Sequence, residues 1–493
     1  MNIKKINIKS LLFKNTGIRQ TIFKNTFWLV GAEGVSKLLK IVLIIYVARI
    51  LGAVNYGMFA FSLAFVTLFA TFFDLGLGLI VTREFSHKEG KKEEFLAIFS
   101  LKILLGIVVL FLIFIGSFFI SQDPIVRKTI WILGIYIMTT DLSGIIFAFF
   151  RSRQQMEHES WMKTLQVFME TSIGLFVILN FPSIQNLSYS YLFAGSITLF
   201  VALLFFYFKV FPLKFYCNKS IWKKFLKMSW PIALVGVFAT IYSQIDSVMM
   251  GYWGQIIETG WYNAAYRLVR MVMIPATLVG ASFFPALSKT FKESKKEEFQ
   301  KIGDYQMQII IFFAIPVTVG GVVLAPKIVD WIYGQTYSSA ILAFQILIVM
   351  AGFAFFSNLF NSILIAAKKQ KNLSIIIFSG AVLNVILNIL LIPRYTLYGA
   401  AISTLITMIL IFVLLLEFVP KLTPFKIFNL NLFINLLGAC ISSLIMYLFI
   451  FKSETYGINI FILILIGTLS YSISFLLYKK IINKFYFSKN VNS

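Results

Sequence analysis

ILLGIVVLFLIFIGSFFIS, residues 103–121, contains no charged side chain. A helix of that length covers about 30 Å, the thickness of a bilayer's hydrocarbon core. Runs of the same kind recur along the chain. They fall near 25–51, 56–82, 94–121, 128–150, 160–181, 188–208, 224–251, 260–288, 302–326, 337–367, 371–393, 397–419, 428–450 and 457–478. Each is far too long for a barrel strand, and an open sheet cannot cross lipid because its edge groups would go unpaired. The sequence therefore predicts an all-α polytopic membrane protein with about fourteen transmembrane helices.

Composition agrees. The 493 residues are 59% hydrophobic and 13% charged, against roughly 25% charged in a soluble domain. A formal net charge of +24 could suggest nucleic acid, but its distribution points to lipid and to no nucleic acid. Of the 44 lysines and arginines, only Arg127, Lys128, Lys327, Arg394 and Lys452 fall in alternate loops. Thirty-two of the others crowd the termini and the opposite loops, and seven lie inside spans. That alternation is the positive-inside pattern, and it places both termini in the cytoplasm of a multi-pass cell (cytoplasmic) membrane protein. Residues 1–24 form a basic segment with no continuous apolar h-region, expected along the cytoplasmic lipid surface. Cys217 and Cys440 form neither a disulfide framework nor a CxxC pair.

An internal echo recurs about 200 residues apart. ILGAVNYGMFAF follows the first span and YWGQIIETGWYNAAY the seventh, and RSRQQM before the fifth span is echoed by AKKQKN before the eleventh. YLFAGSIT in the sixth and YGAAIST in the twelfth continue the order. The echo predicts two six-helix lobes, 25–210 and 224–420, joined by a basic cytoplasmic linker at 211–223. Residues 421–493 supply two further helices and a basic tail. A substrate path is expected between the lobes.

Charges inside spans are costly and by default face a cavity or a partner. They include Glu33, Lys37, Lys40, Arg49, Asp74, Lys102, Asp141, Lys163, Glu170, Asp246, Arg267 and Arg270. Folding the second and third spans about residue 87 brings Asp74 and Lys102 to one depth, which predicts an ion pair. Glu33 and Lys37 stand at i, i+4 in the favourable order for a local pair. Asp141 and Glu170 reach similar depth on the fourth and fifth spans, as a proton-coupling or structural pair.

NAAYRLVRMVMIP, residues 263–275, is less easily neutralised. Arg267 and Arg270 share one helix face, and Asp246 on the preceding span falls within a turn of Arg267. One reading is a packed ion-pair cluster. The other is a cationic cavity wall, which Lys37, Lys40 and Arg49 would complete from the first span. Guanidinium forks suit phosphate or carboxylate, so the cavity reading implies an anionic substrate. Pro231, Pro275, Pro285 and Pro316 lie in or beside these spans and are expected to kink them.

QIDSVMMGYWG (244–254), ETGWYNAAYRLV (258–269), FFPALSKTF (283–291), IYGQTYSSA (332–340) and NILLIPRYTLYGAAIST (388–404) resemble the polysaccharide-export flippases of the multidrug/oligosaccharidyl-lipid/polysaccharide superfamily. The resemblance runs over essentially the whole chain. It implies a V-shaped transporter moving an undecaprenyl-diphosphate-linked oligosaccharide from the inner to the outer leaflet by alternating access, for surface polysaccharide synthesis. A polysaccharide polymerase and glycosyltransferases are the partners it implies, beside membrane lipid. Related lipid II flippases carry an essential arginine twelve residues before the arginine of a VAR-I-x-GA string, and VARILGA at 47–53 puts Lys37 there. Their second arginine falls where this chain has Leu43, leaving Lys40 as the nearest cation. The same relatives hold sodium with residues matching Asp246, Asn384, Asn388 and Thr404, oxygen donors of the kind a hard cation takes. Asn388 stands where an acidic side chain can occur. No other cofactor or metal is implied.

Two other classes compete. A multidrug cation antiporter shares the architecture but would want an acidic cavity. A membrane-embedded glycan-processing enzyme needs catalytic groups in a wet pocket, whereas the outer loops are short and the only histidines, His87 and His158, fall in cytoplasmic loops.

Overall fold

A computed structural model describes residues 18–87, 92–427, 429–455 and 457–490. Most of the basic N-terminal segment, residues 1–17, lies outside them. Within them the chain is helical, with α1 Ile18–Asp74, α2 Leu77–His87, α3 Lys92–Ile120, α4 Pro124–Ser152, α5 Met156–Asn180, α6 Ile184–Lys209 and α7 Lys219–Tyr252. There follow α8 Ile256–Val272, α9 Ile274–Lys292, α10 Lys296–Tyr333, α11 Ala340–Ala366, α12 Gln370–Leu422, α13 Leu430–Glu454 and α14 Ile460–Asn490. Among the described residues twelve helical stretches are long and apolar enough to cross a membrane.

Two of the twelve are too long for one crossing. At 1.5 Å per residue, α1 and α12 would each run about 80 Å or more, over twice the hydrocarbon core. Both are broken. Gly52 (φ 70°, ψ 173°) interrupts α1, and Thr396 (φ 49°, ψ −126°) interrupts α12. The second break folds the chain back on itself: a Cβ on Gly399 would run into the carbonyl of Leu391, eight residues earlier. In a straight helix those residues stand about 12 Å apart. Divided at these breaks, the twelve stretches give the approximate count of fourteen.

Several starts are set by local chemistry. The side chains of Asp123, Ser183, Asn218 and Asn429 each accept from a backbone N–H in the first turn of the helix that follows, relieving donors with no intrahelical partner. Pro124 follows its cap at the first helical position, where its missing N–H is no loss.

By packing, the chain divides into one unit of Met1–Gly260 and another of Trp261–Ser493. The first is built on an aromatic core that includes Phe85, Phe95, Phe149, Phe206 and Phe225, gathered from α2, α3, α4, α6 and α7. The seventh helix, which the repeat places at the start of the second lobe, thus packs in the first unit. It runs antiparallel to the second half of α1. A Cβ on Gly251 would strike the Phe61 ring, and at the start of α8 one on Gly260 would strike the Ala53 carbonyl and one on Gly57 the Ile256 carbonyl. Further along, Thr71 Oγ1 donates to Thr240 Oγ1 at 2.9 Å, and Gly76 (φ 74°) abuts Ile232. Trp222 Nε1 donates to the Ala97 carbonyl at 2.8 Å, and Lys224 pairs with Glu94 at 3.1 Å. In the second unit, Phe353, Phe356 and Phe360 of α11 surround Phe412 of α12, and Tyr478 of α14 packs at Gly438 of α13.

Candidate functional site

In the first unit several of the intramembrane charges gather in two networks. Lys102, 1% exposed, stands 2.9 Å from Asp74 Oδ1 and 2.9 Å from Asp141 Oδ2, and it also donates to the Asp141 carbonyl at 3.4 Å. Asp74 accepts from Gly78 N at 3.1 Å, holding the start of α2 after the left-handed residues Leu75 and Gly76. The expected Asp74–Lys102 pair is present, and Asp141 makes it a triad with one surplus negative charge.

Glu170 belongs to the second network. Its carboxylate is 1% exposed; Oε1 accepts from Tyr136 OH at 2.7 Å and Gln166 Nε2 at 2.8 Å. Lys40 Nζ lies 3.7 Å from Oε2. Asp141 and Glu170, expected at one depth, therefore take different partners. Glu33 and Lys37 form their i, i+4 pair at 3.7 Å, with both side chains well exposed, where such a pair adds little stability. Arg49 is exposed on α1, and Asp246 is buried on α7 at 4%. Near the loop, Glu159 pairs with Arg151 and with Lys163, accounting for the remaining cation of the fifth span.

In the second unit, α8 carries the two arginines on an apolar background. Arg267 is half-buried and Arg270 exposed. The Arg270 guanidinium lies 4.6 Å over the ring of Tyr266, a favourable use of the ring's negative face. The span breaks at Met273 and resumes with Pro275 in the first turn of α9. Asn384, Asn388 and Thr404 are buried on α12. Asn388 Nδ2 donates to Asn384 Oδ1 at 3.1 Å. Thr404 Oγ1 donates to the Ala400 carbonyl at 3.0 Å and lies 3.3 Å from Tyr262 OH. The fold-back at Thr396 brings Asn388 and Thr404, each eight residues from it, to one depth. Their oxygens are hard, neutral donors that fit a monovalent cation better than a divalent one. Among the described residues no group of three or more His, Cys, Asp or Glu could hold a metal ion. An apolar cavity of about 620 Å³, lined by residues including Phe356, Phe360, Phe412 and Phe433, lies apart from these cations among α10–α13.

Tyr136, Gln166, Tyr262 and Tyr266 are the site residues that sequence reasoning passed over. The last two share a helix face with Arg270 at i, i+4, i+8, a spacing that many core and lipid-facing aromatics also show.

A sequence profile of the polysaccharide biosynthesis protein family matches residues 22–291, more than half of the chain. The chain belongs to that family. A MatE profile also matches this family member over 231–390. Its relatives include the "Probable flippase AglR" of Haloferax volcanii, 24% identical over 404 residues, covering 79% of this chain and 82% of that one. The "Capsular polysaccharide biosynthesis protein CapF" of Staphylococcus aureus is 23% identical over 401 residues, with 77% and 94% covered. Among solved structures, the lipid II flippase MurJ in an inward closed conformation superposes with a TM-score of 0.77 at 18% identity, over 92% of this chain and 99% of that one. That likeness fixes the fold of this family member, an all-helical multi-pass membrane protein of the MurJ and multidrug-transporter type.

Proposed function

We propose that this chain is a transporter without catalytic residues, flipping an undecaprenyl-diphosphate-linked oligosaccharide from the cytoplasmic to the outer leaflet for surface polysaccharide synthesis. The observation that carries this is the arginine pair, two guanidinium groups one turn apart on an apolar span in a member of a polysaccharide biosynthesis family. Lys37, Lys40 and Arg49 on α1 are the further cations assigned to the anionic head group. Each charged hydrogen bond is worth about 1.5–3 kcal/mol, so Arg267→Ala or Arg270→Ala should weaken binding roughly ten- to hundredfold. Lysine at either position keeps the charge but not the planar fork, and should restore export only in part. The measurement is export of lipid-linked glycan at matched expression. Normal export by the double alanine variant at wild-type abundance overturns the assignment.

In this reading transport is coupled either to protons, for which Glu170 and Asp141 are the candidates, or to sodium, taken by Asn384, Asn388 and Thr404 together with Asp246. Purified protein is then expected to melt higher in sodium than in potassium, and Asn384→Ala should abolish the difference. Equal melting of the wild type in the two salts removes the sodium site.

Both termini are assigned to the cytoplasm from the loop charges. A reporter after residue 220, 294 or 370 should read cytoplasmic, and one after 184, 256 or 395 external. Two adjacent loops on one side would break that topology. The MatE match favours a second reading as a multidrug cation antiporter. Binding of ethidium in preference to a lipid diphosphate would select it.

A further inference from the structure

We infer that Tyr262 and Tyr266 are positioning residues which hold the Arg270 guanidinium in its binding orientation and tie it to Thr404. The inference rests on the reading of Arg270 as a diphosphate contact. Three side chains, spaced i, i+4, i+8, form one row along α8. At the buried end, Tyr262 is 1% exposed and its hydroxyl meets Thr404 Oγ1 at 3.3 Å. That threonine's hydroxyl also donates to the Ala400 carbonyl at 3.0 Å, an arrangement in which its oxygen accepts from the tyrosine. Next, the rings of Tyr262 and Tyr266 stack with centroids 5.8 Å apart and planes 12° from parallel. At the exposed end Arg270 lies over the second ring, 4.6 Å from its centroid, with Nη2 3.5 Å from the Tyr266 hydroxyl. Tyr333 OH donates to the Ala264 carbonyl at 3.2 Å, pinning the backbone from which the row projects.

The physical consequence concerns orientation. An arginine side chain free in water spreads over many rotamers, and ordering it opposes binding. Lying flat on a ring and with Nη2 turned to the Tyr266 hydroxyl, the guanidinium is restricted to a plane, and a planar fork held in one orientation suits phosphate oxygens. The ring is in turn fixed by its stacked neighbour, and that neighbour by Thr404. A residue assigned to the coupling cation thus sits at one end of a row whose other end is assigned to the anionic substrate. Any ion drawn to the Thr404 oxygen competes with the Tyr262 hydroxyl for the same lone pairs. The contact between the two assigned sites is therefore made by two aromatic rings.

The test is affinity for farnesyl diphosphate, measured on full-length protein in nanodiscs with melting recorded for every variant. Tyr266→Leu is expected to weaken binding about two- to tenfold, and Tyr266→Phe, which keeps the ring, to stay within about twofold. Tyr262→Phe, which removes only the hydroxyl at Thr404, should weaken binding with unchanged melting. Combined with Arg270→Ala, each tyrosine change should add nothing further, because both act through the arginine. Should Tyr266→Leu fold poorly, Tyr266→Met takes its place. Undiminished binding by Tyr266→Leu, or losses that add to that of Arg270→Ala, overturns the positioning role alone. Wild-type affinity in Arg270→Ala overturns the diphosphate reading and the positioning role with it.

Discussion

Lys102→Met is expected to destabilise the protein by about 3–5 kcal/mol, the loss typical when one partner of a buried charge network is removed. The lysine is 1% exposed and stands within 2.9 Å of two carboxylates. Its loss leaves Asp74 and Asp141 facing one another across the space it filled, with no cation at hydrogen-bond distance. Asp74 is 40% exposed and Asp141 only 17%, so the second carboxylate bears most of the penalty. Neutralising it should therefore recover most of the stability. The checks are melting in detergent and membrane yield for Lys102→Met, Asp141→Asn and the two combined. The double variant should exceed the single methionine variant. Wild-type melting of Lys102→Met would show that the triad contributes nothing.

Gly57→Val is the second large effect, and it acts through shape. A Cβ at residue 57 would overlap the carbonyl of Ile256, with the amide of Gly260 at 3.0 Å. Both obstacles are backbone atoms of a helix, which cannot rotate away as a side chain would. Overpacking commonly destabilises by about 1–3 kcal/mol and by more where the backbone must move, so a value at or above the top of that range is expected. The control is Gly34→Val, where a Cβ meets nothing within 4 Å. Melting should fall sharply for the first and little for the second, and export should fall with the first. Identical behaviour of the two variants would exclude close packing of α1 on α8.

The helical crossings were legible because hydrophobic length is a one-dimensional property, and the chain states it without reference to packing. The two broken helices show where that ends. Nothing in VARILGAVN or PRYTLYG distinguishes a loop from a single sharp residue, and the structure makes each crossing pair turn at one position, Gly52 and Thr396. Asp74 and Lys102 could be matched by counting residues from a shared turn, because depth follows from helical rise. Asp141 could not be added to them by counting, since its meeting with Lys102 depends on how α3 and α4 are rotated about their axes. Lys40 and Glu170 were invisible for the same reason, lying on helices not adjacent in sequence. Tyr262 and Tyr266 show a third limit, since aromatic residues at helical spacing read equally well as lipid-facing or core side chains. Only their contacts with Arg270 and Thr404 separate them from the many other aromatics in the chain.

The seam between α1 and α7 is mechanical as well as steric. It is fastened at intervals over roughly 20 Å of helix, by Gly251 against the Phe61 ring, by the Thr71–Thr240 hydrogen bond further along, and by Gly76 against Ile232 at the far end. A stiff rod held in that way has a fulcrum. If the glycine end spreads while the threonine bond holds, the Ile232 end is driven toward α2, where a methyl group already stands 2.9 Å from the Cβ position of Gly76. Gly76 already packs against Ile232 there, so that rocking is opposed for as long as the threonine bond holds.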